Sequence, residues 1–155
     1  MDFTELAKAF AERHAIADLS VEDGVTALEI DGMAISLAES GDGVVASAGI
    51  GTPPSEKPET FAHLLLEANM EAVVAGGHVF ARNPESGAYI LTCRLVERCG
   101  DLDAFDAALA SFVSKLELWR RLLADFRPAA HEAATASAAA EGETMNALRS
   151  GFLRV

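Results

Sequence analysis

Cysteine is scarce in this 155-residue chain: Cys93 and Cys99 are the only two, too few for a disulfide framework. Basic charge is scarce as well. Twelve Lys and Arg stand against 24 Asp and Glu, giving a formal charge of −12 and a pI near 4.6. Nucleic-acid affinity comes mainly from cations that displace counterions from phosphates, so this balance excludes a nucleic-acid partner. It equally excludes docking on an anionic membrane surface. No apolar run approaches the ~18 residues of a spanning helix, and membrane insertion is not expected. The opening Met1-Asp2-Phe3-Thr4-Glu5 lacks the basic and apolar regions of a signal peptide. A soluble, cytoplasmic protein is expected. Aromatics make up 6% of the residues, and although 50% are hydrophobic, 30 are alanine, so the core of large side chains is ordinary in size.

What is present has a clear order. Phe3, Leu6, Ala7, Phe10 and His14 recur at helical spacing, with Asp2 as N-cap and Glu5 three residues later, a capping-box pattern. The period then changes to two. Asp31-Gly32 between alternating segments predicts a two-residue type I′ hairpin, pairing Ile30 with Met33, Leu28 with Ile35 and Thr26 with Leu37. A second loop at 39–43 leads to a third strand at 44–50, closed by Pro53-Pro54. A helix is expected from Pro58 to about Val74, with Gly76-Gly77 beyond it. Phe61, Leu64, Leu65, Ala68 and Ala72 form one stripe on it, but Leu66, Met70 and Val73 fall outside that stripe. A helix that is apolar on two sides must be buried on two sides, which calls for a second chain. A strand at 78–82, a turn at 83–87 and a strand at 88–95 form another hairpin. Leu102, Phe105, Leu109, Phe112, Leu116, Trp119 and Leu123 then mark a long helix that Pro128 ends. Residues 1–127 thus read as one domain. Residues 128–155 read as an Ala-rich extension, either helical or a tether, since eight of the twelve residues 129–140 are alanine.

Acidity is concentrated at the front: residues 1–71 hold 14 acids and 3 bases, residues 72–127 seven of each. Chemistry is thinly represented. His63 and Glu67, four apart on one helix face, make a poor metal site, and the other histidines are scattered. Gly49-Ile50-Gly51-Thr52 lacks the lysine of a phosphate loop and runs into prolines. Glu22/Asp23 and Asp101/Asp103/Asp106 suit loops and a helix N-terminus. Lys115, Arg120, Arg121 and Arg127 suit a helix C-terminus. No catalytic residue, metal ligand or cofactor is assigned.

Four segments taken together resemble the class I type III secretion chaperones, the CesT/Tir chaperone family. They are the first helix with the strand ending Leu28-Glu29-Ile30-Asp31-Gly32, the helix with Leu64-Leu65-Leu66-Glu67-Ala68-Asn69, the turn Asn83-Pro84-Glu85-Ser86-Gly87, and the closing helix with Leu118-Trp119-Arg120. The resemblance implies an α+β fold in the order α-β-β-β-α-β-β-α, with a twisted antiparallel sheet flanked by helices, as a homodimer. It implies a non-enzymatic cytoplasmic chaperone that binds the N-terminal segment of a secreted effector and keeps it extended and export-competent. A secretion ATPase or sorting component is a further partner it allows. On this reading Phe3, Phe10, Leu28, Ile30, Ile35 and Leu37 are groove residues for the effector, although the same periods suit a core. Leu66, Met70, Val73 and Phe80 would form the dimer interface. The alternative is an adaptor or regulatory module of the same fold that binds a secretion-apparatus component. A small enzyme or ligand-binding domain would instead need a deep pocket of converging polar groups.

Overall fold

The computed structural model describes residues 1–127 except Asp18, Gly76 and Arg98, and of residues 73–75 it describes only the backbone. The Ala-rich extension expected at 128–155 lies outside the described residues. Met1–Ala124 form one compact unit, and Asp125–Val155 fall in a second. The first unit is α+β: α1 (Phe3–Arg13), β1 (Val25–Ile30), β2 (Met33–Ser40), β3 (Gly43–Gly51), α2 (Pro58–Ala75), β4 (Val79–Arg82), β5 (Tyr89–Val96) and α3 (Leu102–Ala124). The strands form one antiparallel sheet in the order β1-β2-β3-β5-β4.

Local chemistry accounts for the boundaries. Asp2 accepts from the Glu5 amide at 2.8 Å while Glu5 accepts from the Asp2 amide at 3.0 Å, a reciprocal capping box that satisfies two donors at the helix start. Asp31 and Gly32 both take positive φ, 50° and 73°, as a type I′ turn requires. The β1–β2 register follows: Ile30 pairs with Met33, Leu28 with Ile35, and Thr26 with Leu37. At the start of β3, a Cβ on Gly43 would collide with the Val96 carbonyl, so the bulged crossing of β3 and β5 needs glycine.

The helices flank the sheet as expected: α3 lies over one face, α1 packs on α3, and α2 runs beside the β4 edge. The buried face carries Leu28, Met33, Ile35, Leu37, Ala46, Ile50 and Leu91. Helix α3 lies across β3 and β5 and packs Phe105, Leu109, Phe112 and Leu116 into this layer. Helix α1 closes on α3, with Phe10 edge-on to Phe105 at 5.3 Å. Helix α2 lies beside β4 and buries Phe61 between Tyr89 and Trp119. Thr26 is a polar side chain within the buried layer, and it donates to the Ser20 carbonyl at 2.6 Å.

Candidate partner-binding surfaces

Three surfaces of this unit are open in the single chain. The first is the uncovered sheet face. Across β1, β2, β3 and β5 it runs Ala27, Ser36, Ser47, Thr92, and beside that row Glu29, Ala34, Gly49, Ile90. Ala27, Ala34, Ser36 and Gly49 are exposed. These short side chains leave a shallow trough of about 390 Å³, and Ser47 on its floor shares a 2.9 Å hydrogen bond with the neighbouring Thr92 hydroxyl. Such a floor admits the larger side chains of an extended segment.

The second is the free edge of β1. The residues flanking a two-residue hairpin bond to one another, so Thr26, Leu28 and Ile30 aim their backbone groups at β2. Val25, Ala27 and Glu29 then aim theirs outward. Val25 is closed by reciprocal 2.9 Å bonds with Glu22. Among the described residues, nothing closes Ala27 and Glu29, which leaves a short acceptor edge beside the trough.

The third is the outer side of α2 with β4. Leu66 and Met70, one turn apart on α2, are 61% and 67% exposed. An open groove of about 510 Å³ runs between α2 and β4, bordered by Pro53, Pro58, Leu65, Leu66, Phe80 and Tyr89. On its floor the Asn69 carboxamide donates to the Phe80 carbonyl at 3.0 Å and accepts from the Phe80 amide at 2.7 Å.

The residues expected to line an effector groove lie elsewhere. Phe3, Phe10, Leu28, Ile35 and Leu37 are buried between the sheet, α1 and α3, and only Ile30 is half-exposed. Their apolar periods face the chain's own core, so they offer a partner no surface in this conformation. Of the four residues assigned to a dimer, Leu66 and Met70 are the exposed pair. Phe80 is buried against Trp119, with ring centroids 4.5 Å apart. Val73 belongs to α2, and its side chain lies outside the described residues. Sequence reasoning passed over Ala27, Ala34, Ser36 and Asn69. The first three are too small to register in an apolar pattern. Asn69 was marked by one signal: a polar side chain among Leu65, Leu66 and Met70.

The candidate chemical groups serve structure. Asp101 caps α3 by accepting from the Ala104 amide at 2.9 Å. Asp103 and Asp106 hold Arg13 at 2.7 and 3.4 Å, and Asp106 also holds His14 at 3.1 Å, so the end of α1 is tied to the start of α3. His63 and Glu67 are both exposed, and among the described residues no cluster of three His, Cys, Asp or Glu could hold a metal ion. Burial pushes the Cys93 thiol up, and burial together with Glu39 and Asp2 does the same to Cys99. Both are thereby held away from the reactive thiolate. Among the described residues, no helix is long and apolar enough to cross a membrane.

A five-stranded sheet with one bare face, an open strand edge and a second apolar patch defines a small α+β scaffold for protein binding. The sequence places it further: residues 5–120 match the Tir chaperone protein (CesT) family, and the chain belongs to that family. Solved structures of low sequence identity share its fold. A chain of the ExsC–ExsE complex superposes with a TM-score of 0.67 at 22% identity, covering 79% of this chain and 97% of that one. A chain of the HopA1–SchA chaperone–effector complex gives 0.64 at 16%, covering 77% and 93%. A chain of the heterodimeric ExoU–SpcU complex from the type III secretion system of Pseudomonas aeruginosa gives 0.56 at 17%, covering 74% and 95%. No curated protein matches significantly.

Proposed function

We propose that this chain is a bacterial cytoplasmic chaperone for a type III-secreted effector, acting without catalysis and as a homodimer. It binds the effector's N-terminal region and keeps it extended for export. Family membership supports the class. The observation that carries the binding mode is the open β1 edge at Ala27 and Glu29 beside the bare small-residue trough. An extended client strand adds to that edge through main-chain bonds, which is sequence-tolerant, and drops alternate side chains into the trough. The exposed Leu66 and Met70 of α2 supply the contact between two copies.

The test is capture of the partner from the native cell, followed by limited proteolysis and amide exchange of the complex. A protected N-terminal segment of a secreted protein, with slowed exchange at Ala27 and Glu29, is the expected result. Capture of an export-apparatus component in its place would favour an adaptor role. Unchanged exchange at both amides in a client complex would sink the strand-addition mode.

A further inference from the structure

We propose that Asn69 is an edge guard: its carboxamide fills the place of a neighbouring strand at β4 and keeps a second copy of this chain from pairing there. The geometry is specific. In β4 the backbone groups of Val79 and Ala81 face β5, as the continuing bond from the Asn83 amide to the Ala88 carbonyl shows. Those of Phe80 and Arg82 therefore face outward. Phe80's outward N–H and C=O are an adjacent donor and acceptor. This is the pair that two antiparallel strands exchange across a two-fold axis, so β4 is self-complementary at Phe80. Asn69 presents the matching acceptor and donor at 2.7 and 3.0 Å and takes both.

The usual protections of an edge strand are weak here. Val-Phe-Ala-Arg has no proline, and its one charge, Arg82, is turned back onto the Gly87 carbonyl at 3.1 Å. Val79 and Ala81 are exposed. The edge cannot twist away, because the Phe80 ring is packed against Trp119. It also adjoins the exposed Leu66 and Met70, the surface proposed above to join two copies, and in this respect the guard rests on that reading. A strand edge beside a self-association patch would convert a closed pair into sheet-to-sheet assembly. The guard confines contact to helix side chains. Asn69 is a positioning residue in this sense, and its role does not depend on which client the chain serves.

Amide exchange of the full chain gives the first test. Phe80 should exchange about tenfold more slowly than Arg82, whose amide shares the edge without a partner, because one hydrogen bond separates them. Equal rates overturn the proposal. Asn69→Ala should abolish that difference and produce concentration-dependent species larger than wild type in sedimentation velocity. Val79→Lys in the same chain should reverse the assembly, since an edge lysine blocks strand pairing. Asn69→Asp loses the donor to the Phe80 carbonyl but leaves a charge at the edge, and it should remain wild-type in size. A residue that merely stabilised α2 would predict the same assembly for Asn69→Ala and Asn69→Asp. Assembly that Val79→Lys does not reverse, or its absence in Asn69→Ala, likewise overturns the guard.

Discussion

At the scale of single residues, burial and partner decide what a side chain does. Thr26 sits in an apolar layer because its hydroxyl donates a hydrogen bond to the Ser20 carbonyl. His78 has no such relief. Its Nε2 is buried without a partner, and its ring stacks on Phe112 at 5.9 Å in a cleft with Glu71 and Lys115. Burial first, and Lys115 second, hold its pKa below the ordinary histidine value of 6.5. The unfolded chain therefore binds a proton more readily than the folded one. The titration of His78 carries no penalty well above pH 6.5, and stability falls as pH drops through 6.5 towards the lowered folded value. His78→Phe keeps a ring on Phe112 and removes the titration. The drop in Tm between pH 7.5 and 5.5 should be smaller in this variant, by the equivalent of about 1 kcal/mol or less for so partly exposed a group. An identical drop would assign the pH dependence to other groups.

At the scale of elements, the two edges of the sheet are treated differently, and the two proposed association sites should separate by mutation. Proline at 27 removes an outward N–H that β2 does not use, so edge strand β1 tolerates it. Ala27→Pro should leave the circular dichroism and melting profile near wild type while weakening client binding by about tenfold, the value of one main-chain bond. Unaltered affinity by titration calorimetry would move the client off this edge. On α2, Met70→Glu introduces a charge at a position that is 67% exposed in the single chain. It should spare the fold of one copy and break the pair, costing several kcal/mol of association by burying an unpaired carboxylate. Light scattering at micromolar concentration reads the outcome, and an unchanged mass would exclude α2 from the interface. Much of this level was legible in advance. The Asp31-Gly32 turn sets the register of β1 on β2, and the alternation of Leu28, Ile35 and Leu37 agrees with only that register. What could not be read was which partner covers that face. An apolar stripe has the same period whether it meets the chain's own α3 or another protein.

At the scale of the molecule, the residues that make the core, from Phe3 to Trp119, all belong to the unit Met1–Ala124. A chain ending at Arg127 should accordingly melt in one cooperative transition and keep the client affinity of the full chain. A broad, uncooperative melt would place residues 128–155 within the folding unit. The acidic excess of residues 1–71, 14 acids against 3 bases, falls in the part of the chain that supplies β1, β2 and β3. For the proposed chaperone, such a field would favour solubility of a surface with free strand groups and faster encounter with a basic segment.

The amino-acid sequence by itself determined the elements, their order and the pairing of β1 with β2, because caps, turns and side-chain period are local properties. It also determined that α2 is apolar on two sides. Tertiary packing alone decided that α3, with α1 upon it, covers one face of the sheet while α2 runs beside the β4 edge. That choice buries Phe3, Phe10, Leu28, Ile35 and Leu37 and leaves the alanines and serines bare. It also decided that Asn69, eleven residues from Phe80 along the chain, closes the β4 edge while the β1 edge stays open. Contacts between residues distant in sequence depend on how the layers stack, and no local period records that.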